Sequence, residues 1–190
     1  MWSVDPWPTT KGTAVNAKAA NDRIFAFLGL GLFPNDPRAA GSATIRSILG
    51  VTLFIVVLDA LIFRRHLDAS YVTFYTSDLR GRTLPMCFKA LWEEIQYRLV
   101  SMTAIVAIVR IAQGKVSPAT YVFAAILAQF YGVWPFVVQD PLYASLRYLA
   151  VGTVWGLLYW RHGWLAAASG HALTHLILDP LLLLALIATG

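Results

Sequence analysis

Long apolar blocks, separated by short segments rich in polar residues, glycine and proline, make up most of this chain. Five blocks have a length suited to a membrane-spanning helix: 47–63, 86–112, 119–138, 142–160 and 164–189. An α-helix needs about 20 mainly apolar residues to cross the hydrocarbon core of a bilayer. The pattern therefore predicts an all-α fold, a polytopic membrane helix bundle of about five transmembrane spans.

The residues before the first block form a separate region in this prediction. Residues 1–23 are polar, and no cleavable signal peptide is visible among them. The apolar run 24–33 is too short to span, so we predict a short interfacial helix there or a segment packed on the bundle. The chain accordingly divides into an N-terminal tail with this helix, residues 1–45, and a transmembrane helical bundle that carries the candidate site, residues 46–190.

Some local features refine the prediction. Residues 69–83 combine strand-like and turn-like residues, so we expect a loop there. The first block contains one acid, Asp59, which we expect to face the bundle, and the fourth contains Arg147 near its start. In the last block, Asp179 and Pro180 predict an interruption of the helix, with a kink directly after the histidine pair, because a proline removes a backbone hydrogen bond.

Composition supports a membrane protein and narrows its partners. The chain is 58% hydrophobic and only 13% charged, with a mean hydropathy of +0.61. We expect an integral, multi-pass protein of a cytoplasmic (inner) membrane, surrounded by membrane lipid. The net charge of +5 comes from scattered basic residues rather than from a basic stripe with interleaved aromatics, so we expect no nucleic-acid binding.

The two glutamates of the chain are adjacent, Glu93 and Glu94, and Arg98 follows four residues after the second. A charged side chain inside a membrane costs about 2.5–3.5 kcal/mol on insertion scales, which makes such residues functional candidates. On a helix, Glu94 and Arg98 can pair, while Glu93 points about 100° away and is free to act as a base. The alternative is a solvated helix start whose carboxylates complement the helix dipole.

Two histidines, His171 and His175, share one helical face of the last block, and Asp179 continues the same face. Histidines at this spacing bind metals or turn toward a shared cavity. The alternative is that they hydrogen-bond backbone or hydroxyl groups between packed helices. Since isolated ionisable groups are costly within a membrane, we expect the glutamates and the histidines to meet inside the bundle.

These segments resemble a known family. Residues 92–98 (WEEIQYR) resemble the EExxxR motif of the CPBP intramembrane proteases, also called the Abi or CAAX-protease family. Residues 156–164 (GLLYWRHGW) and 170–175 (GHALTH) are similar to its last motif region, in which a G-x-x-Y segment and a turn lead into a helix bearing HxxxN or a close variant. The resemblance covers about residues 85–180. It implies an intramembrane endopeptidase that hydrolyses a peptide bond of a membrane-anchored peptide or protein with carboxylate-activated water.

The resemblance also implies roles for single residues. Glu93 would activate the attacking water, Glu94 and Arg98 would shape the site, and His171 would help to activate water or stabilise the oxyanion. His175 stands where the family usually has asparagine. Metal dependence stays open: no cofactor is certain, but Glu93, Glu94, His171 and His175 could ligate a divalent metal such as zinc, or they could form a metal-free glutamic-type site.

One departure from the family matters for the functional prediction. The middle motif, FxxxH, belongs on the span after the glutamates, where residues 121–130 (YVFAAILAQF) contain no histidine. Gln129 is the best stand-in, and its amide can donate a hydrogen bond but cannot act as a base. The alternative function is therefore a catalytically inactive homologue that acts as a scaffold, assembly factor or subunit of a larger membrane complex.

Two other residues, Ser169 and Cys87, are weaker candidates for a catalytic nucleophile. Residues 167–170 (AASG) are similar to the serine motif of rhomboid proteases, but the leading glycine is missing and the glutamates would go unexplained. We interpret Ser169 as a small packing residue. Cys87 is the single cysteine of the chain, and a lone buried cysteine is usually inert packing.

Overall fold

A computed structural model describes residues 24–190, which fold into helices joined by short connections and contain no β-strand. The polar tail that we predicted over residues 1–23 lies outside the described residues. The helices of the described part are α1 (Pro37–Ile62), α2 (Ala69–Thr76), α3 (Leu79–Gln113), α4 (Pro118–Gln139), α5 (Pro141–Ala144, Ser145–Ala150 and Val151–His162 in one run) and α6 (Trp164–Ala188). The all-α prediction is confirmed.

Among residues 24–190, four helices are long and apolar enough to cross a membrane: α1, α3, α4 and α6. These four support the membrane assignment. The fourth predicted span coincides with α5, which carries the buried Arg147 and is not one of the four. That α5 crosses the membrane as a fifth span stays a prediction.

Local signals explain where the helices begin and end. The side chain of Asp36 accepts hydrogen bonds from the backbone N–H groups of the first turn of α1, and Asp68 and Asp78 cap α2 and α3 in the same way. Gly114 ends α3 with a φ of +71°, and Gly163 separates α5 from α6 with a φ of +88°. Both angles lie in the left-handed region that glycine adopts at no steric cost.

The boundaries differ from the sequence prediction in four places. Helix α1 begins at Pro37 rather than at residue 47, and only residues 24–27 of the predicted interfacial helix are helical. The expected loop over 69–83 is wrong: it forms α2 and the start of α3, because the caps at Asp68 and Asp78 favour helix over the local strand propensity. Finally, α6 continues through Pro180, so the predicted interruption of that helix is absent.

Residues 28–32, which follow the helical residues 24–27, pack against the bundle. Leu28 is buried, and its carbonyl accepts a hydrogen bond of 2.8 Å from the hydroxyl of Tyr121 on α4. The backbone N–H groups of Trp164 and Leu165, at the start of α6, donate to the carbonyls of Gly31 and Leu32 at 2.9 Å. These bonds satisfy donors at the first turn of α6 that have no partner within the helix.

Helix α6 lies at the centre of the fold, where it packs against α1, α3 and α5. Its first turns carry small buried residues, Ala166, Ala167, Ala168 and Gly170, which let neighbouring helices approach closely. Farther along, Leu178, Leu182 and Leu186 are buried in the core. The histidine pair of α6 is therefore held on a well-packed helix.

Three helices contain a π-helical stretch, and each stretch holds a buried charged residue. In α1 the stretch is Val57–Ile62 with Asp59, in α3 it is Glu94–Met102 with Glu94 and Arg98, and in α5 it is Ser145–Ala150 with Arg147. Such wide turns are rare in proteins, and those that do occur are often found at functional sites. Here they coincide with buried charges in the interior of the bundle.

Candidate active site

A cavity of about 260 Å³ lies between α2, α3, α4, α5 and α6. Five of the six candidate site residues line it: Glu93, Arg98, Gln129, His171 and His175. The sixth, Glu94, is fully buried behind the cavity wall and touches two of them. Glu94 and His171 are in contact inside the bundle, as expected from the cost of isolated charges in a membrane, and Glu93 and His175 line the same cavity.

Glu94 bridges two neighbours in the interior. Its Oε1 lies 2.9 Å from Nδ1 of His171, and its Oε2 lies 3.5 Å from Nε of Arg98. An ionised carboxylate can only accept hydrogen bonds, and the charged Arg98 is the neighbour of this one. If Nδ1–H of His171 donates to this carboxylate, Nε2 of the neutral ring is the nitrogen that can accept a hydrogen bond.

Arg98 also fixes the orientation of Gln129. Its Nη1 donates to Oε1 of Gln129 at 2.7 Å, and its Nη2 donates to the carbonyl of Gly152 on α5. Since the amide oxygen of Gln129 accepts from the arginine, the amide NH₂ group carries the donor capacity of this side chain, which lines the cavity.

Glu93 occupies a different environment from its neighbour. Its side chain is 25% exposed, lines the cavity and lies 3.2 Å from Nζ of Lys89, which is 63% exposed. The carboxylate is therefore within reach of water. The alternative of two carboxylates at a helix start is wrong, because α3 begins at Leu79 and both glutamates lie well inside it.

His175 repeats the arrangement of His171 one turn farther along α6. Its Nδ1 lies 3.1 Å from Oδ1 of Asp179, and the two histidine rings are 5.8 Å apart between centroids. The ring of His171 also stacks on Trp155 of α5, with centroids 5.5 Å apart and an interplanar angle of 13°. Both histidines pair with carboxylates, so the alternative of backbone or hydroxyl partners does not describe these contacts.

A second buried cluster forms another part of the cavity wall. Nε of Arg147 lies 3.0 Å from Oδ2 of Asp59, and the hydroxyls of Tyr71 and Tyr143 also donate to this carboxylate. Burial raises the pKa of Tyr71 well above its usual value, so the phenol remains a donor. Arg147 and Tyr71 line the cavity, and Tyr71 attaches α2 to the bundle.

Sequence reasoning noted Asp59 and Arg147 separately but did not join them. Their separation along the chain has no helical or motif spacing that would link them. The available signal was chemical: each is a single charge, of opposite sign, in an otherwise apolar block. The expectation that Asp59 faces the bundle is confirmed, since it is fully buried.

Metal ligation and the other two nucleophiles find little support in the geometry. Within residues 24–190, no three His, Cys, Asp or Glu side chains are placed to hold one metal ion, so we derive no step through zinc. Ser169 donates to the carbonyl of Ala166 at 3.3 Å, and the Cys87 thiol donates to the carbonyl of Ala172 at 3.2 Å. Both side chains thus serve contacts within and between helices.

Comparisons of the chain with protein-family models, with curated proteins and with solved structures found no match. A cavity in the helix bundle thus brings together a water-accessible carboxylate, Glu93, a carboxylate-bound histidine, His171, and an amide that Arg98 orients, Gln129.

Proposed function

We propose that this protein is an intramembrane endopeptidase of the CPBP type, which hydrolyses a peptide bond of a membrane-anchored peptide or protein. The observation that carries the proposal is the convergence of Glu93, Gln129 and His171 on one cavity, with Glu94 and Arg98 holding the last two in fixed orientations. Acceptors for the protons of water and a donor for a carbonyl oxygen are the groups that peptide hydrolysis needs.

In the proposed reaction, a water in the cavity attacks the carbonyl carbon of the scissile bond. One water proton passes to the carboxylate of Glu93, and Nε2 of His171 orients the water by accepting a hydrogen bond. The carbonyl oxygen takes up negative charge, and the amide NH₂ of Gln129 donates to it. When the carbon–nitrogen bond breaks, Glu93 returns the proton to the leaving nitrogen, giving a carboxylic acid and an amine.

The supporting residues hold these groups in place. Glu94 keeps the proton of His171 on Nδ1, as a carboxylate does for the histidine of a catalytic triad. Arg98 neutralises Glu94 and turns the amide of Gln129. A polypeptide that merely spans the membrane gains nothing from burying these charges, because their insertion is costly.

The second candidate is a non-catalytic homologue that serves as a scaffold, assembly factor or subunit of a membrane complex. One observation favours it: α4 supplies Gln129, an amide, where the resemblance leads one to expect a histidine base. A scaffold would retain the bundle and its partners while the cavity catalyses nothing.

Replacing His171 tests the proposal against this candidate. The full-length protein is reconstituted in phosphatidylcholine–phosphatidylglycerol vesicles with a library of fluorescence-quenched peptides that carry an apolar, membrane-inserting segment. We expect cleavage by the wild type, loss of about 100-fold or more in rate for His171→Gln, and a wild-type rate for the exposed control His66→Gln. Absence of cleavage by the wild type, or equal rates for all three proteins, would overturn the protease proposal in favour of the scaffold.

A further inference from the structure

We propose that Asp179 is a positioning residue which, through His175, places a second proton-accepting ring nitrogen in the cavity. The role in catalysis rests on the proposed function, whereas the pairing of the two side chains does not. Asp179 and His175 are one helical turn apart on α6, and Oδ1 of the aspartate lies 3.1 Å from Nδ1 of the histidine. The first is fully buried, and the second lines the cavity.

Arg82 of α3 is the cation that lies beside this aspartate. Its Nε lies 3.9 Å from Oδ2 of Asp179, and its Nη2 donates to the backbone carbonyl of the same residue at 3.4 Å. Both side chains are buried, so each charge needs the other. An ionised Asp179 can only accept a hydrogen bond, so His175 donates through Nδ1–H and presents Nε2 as an acceptor.

The pair duplicates an arrangement that the chain already uses. Glu94 holds Nδ1 of His171 in the same way, and the two imidazole rings lie 5.8 Å apart with an interplanar angle of 31°. Each histidine therefore has a buried carboxylate at Nδ1 and a free Nε2. Two such carboxylate–histidine pairs on consecutive turns of α6 give the cavity two proton acceptors from one helix.

This geometry gives His175 a different role from that of an asparagine. An asparagine at that position would donate a hydrogen bond through its amide, whereas a neutral histidine with its proton on Nδ1 accepts one through Nε2. The amide donor comes instead from Gln129 on α4, which Arg98 orients. Compared with the motif pattern that the sequence resembles, the acceptor therefore lies on α6 and the donor on α4. The cavity contains both kinds of group although α4 carries no histidine.

The competing explanation is that Asp179 is purely structural. Arg82 also donates through Nη1 to the carbonyls of Phe74 and Ser77 at the end of α2, both at 3.1 Å, so the aspartate helps to anchor a residue that connects α2, α3 and α6. In that case, removing its charge lowers stability but leaves the proton position on His175 and the turnover of the folded protein unchanged.

Side-chain ¹⁵N NMR of histidine-labelled, full-length protein in phosphatidylcholine–phosphatidylglycerol vesicles separates these explanations. The signals of His175 are assigned by their loss in His175→Gln. We expect the wild type to carry the proton on Nδ1 at neutral pH, and Asp179→Asn to move it to Nε2. A wild-type His175 with its proton on Nε2, or an unchanged proton position in Asp179→Asn, would overturn the inference.

Cleavage of the fluorescence-quenched peptides adds the functional readout. For Asp179→Asn we expect kcat to fall by about tenfold or more with KM within about twofold of the wild type, because the substrate-binding surface is retained. Asp36→Asn, which changes the cap of α1 away from the cavity, should keep the wild-type kcat. Unchanged kcat in folded Asp179→Asn contradicts the positioning role.

The two proposals can fail separately. If the wild type cleaves no peptide but carries the proton of His175 on Nδ1, the protease proposal fails and the pairing of Asp179 with His175 stands. If Asp179→Asn does not fold, the wild-type spectrum alone decides the pairing, since it requires no variant.

Discussion

Gly152 of α5 and Gln129 of α4 approach so closely that a Cβ atom at position 152 would overlap the glutamine side chain. The carbonyl of Gly152 also accepts a hydrogen bond from Arg98. The absence of a side chain at this position therefore lets α5 close over the amide and the guanidinium together. The donor side of the cavity depends on a residue that performs no chemistry itself.

Gly152→Ala should consequently impair the site more than the fold. The added methyl group must displace the Gln129 side chain, at a cost of about 1–3 kcal/mol for overpacking. We expect cleavage to fall by about tenfold or more, because small misplacements of catalytic groups are costly. The matched control is Gly50→Ala in α1, where a Cβ would meet nothing within 4 Å. Equal activity of the two variants would contradict this account of Gly152.

The adjacent glutamates should differ in their effect on stability. Glu94→Gln leaves the buried Arg98 without its counter-ion, which costs about 3–5 kcal/mol for a buried pair. Glu93→Gln removes only a partner of the exposed Lys89, a pair worth about 0–1 kcal/mol. Thermal unfolding in detergent should show a large decrease in stability for the first variant and a small one for the second. Similar decreases in stability for the two variants would contradict the assignment of Glu94 as the buried one of the two glutamates.

The cluster of Asp59 and Arg147 should behave as one unit. Asp59→Asn alone leaves a buried arginine unpaired and weakens the attachment of α2 through Tyr71, so we expect a loss of about 3–5 kcal/mol and faster proteolysis near α2. Adding Arg147→Met should recover part of this loss, because the unpaired charge is gone. A double-mutant cycle of unfolding free energies measures the coupling. Additive losses would show that the two residues act independently.

Alkaline pH should destabilise the protein through Tyr71 and Tyr75. Burial raises the pKa of both phenols, so the folded state favours their neutral forms. Unfolded tyrosine ionises near pH 10, so this stabilisation is fully present below about pH 10 and is lost as the pH rises further. Tyr71→Phe should make the alkaline loss of stability less steep, whereas Tyr131→Phe, at a residue that is 82% exposed, should not. Identical pH profiles for Tyr71→Phe and the wild type would contradict the burial argument.

Much of the fold follows from the sequence, because apolar length and helix caps are local signals. The blocks of apolar residues located the long helices, and Gly114 and Gly163 mark two of their boundaries. The failures at residues 69–83 and at Pro180 have a common cause. Capping by Asp68 and Asp78, and packing of α6 against its neighbours, outweigh the local preferences of individual residues.

The sequence predicts only those contacts of the site that follow from residue type and from spacing along one helix. The pairing of Glu94 with Arg98 follows from helical spacing, and the cost of burying a charge predicts the contact of Glu94 with His171. The contact of Asp59 with Arg147 depends on how distant helices pack, which no local pattern encodes. The amide orientation of Gln129 likewise depends on Arg98 and on the space above Gly152.

The most direct test of the central claim compares initial rates of peptide cleavage by the wild type, Glu93→Gln and Cys87→Ala in the same phosphatidylcholine–phosphatidylglycerol vesicles. Glu93→Gln removes the proposed base with little change in side-chain shape. Cys87→Ala removes the one thiol of the sequence, whose side chain does not line the cavity. The account predicts equal rates for the wild type and Cys87→Ala and a loss of about 100-fold or more for Glu93→Gln. A Glu93→Gln protein that cleaves as fast as the wild type would contradict it.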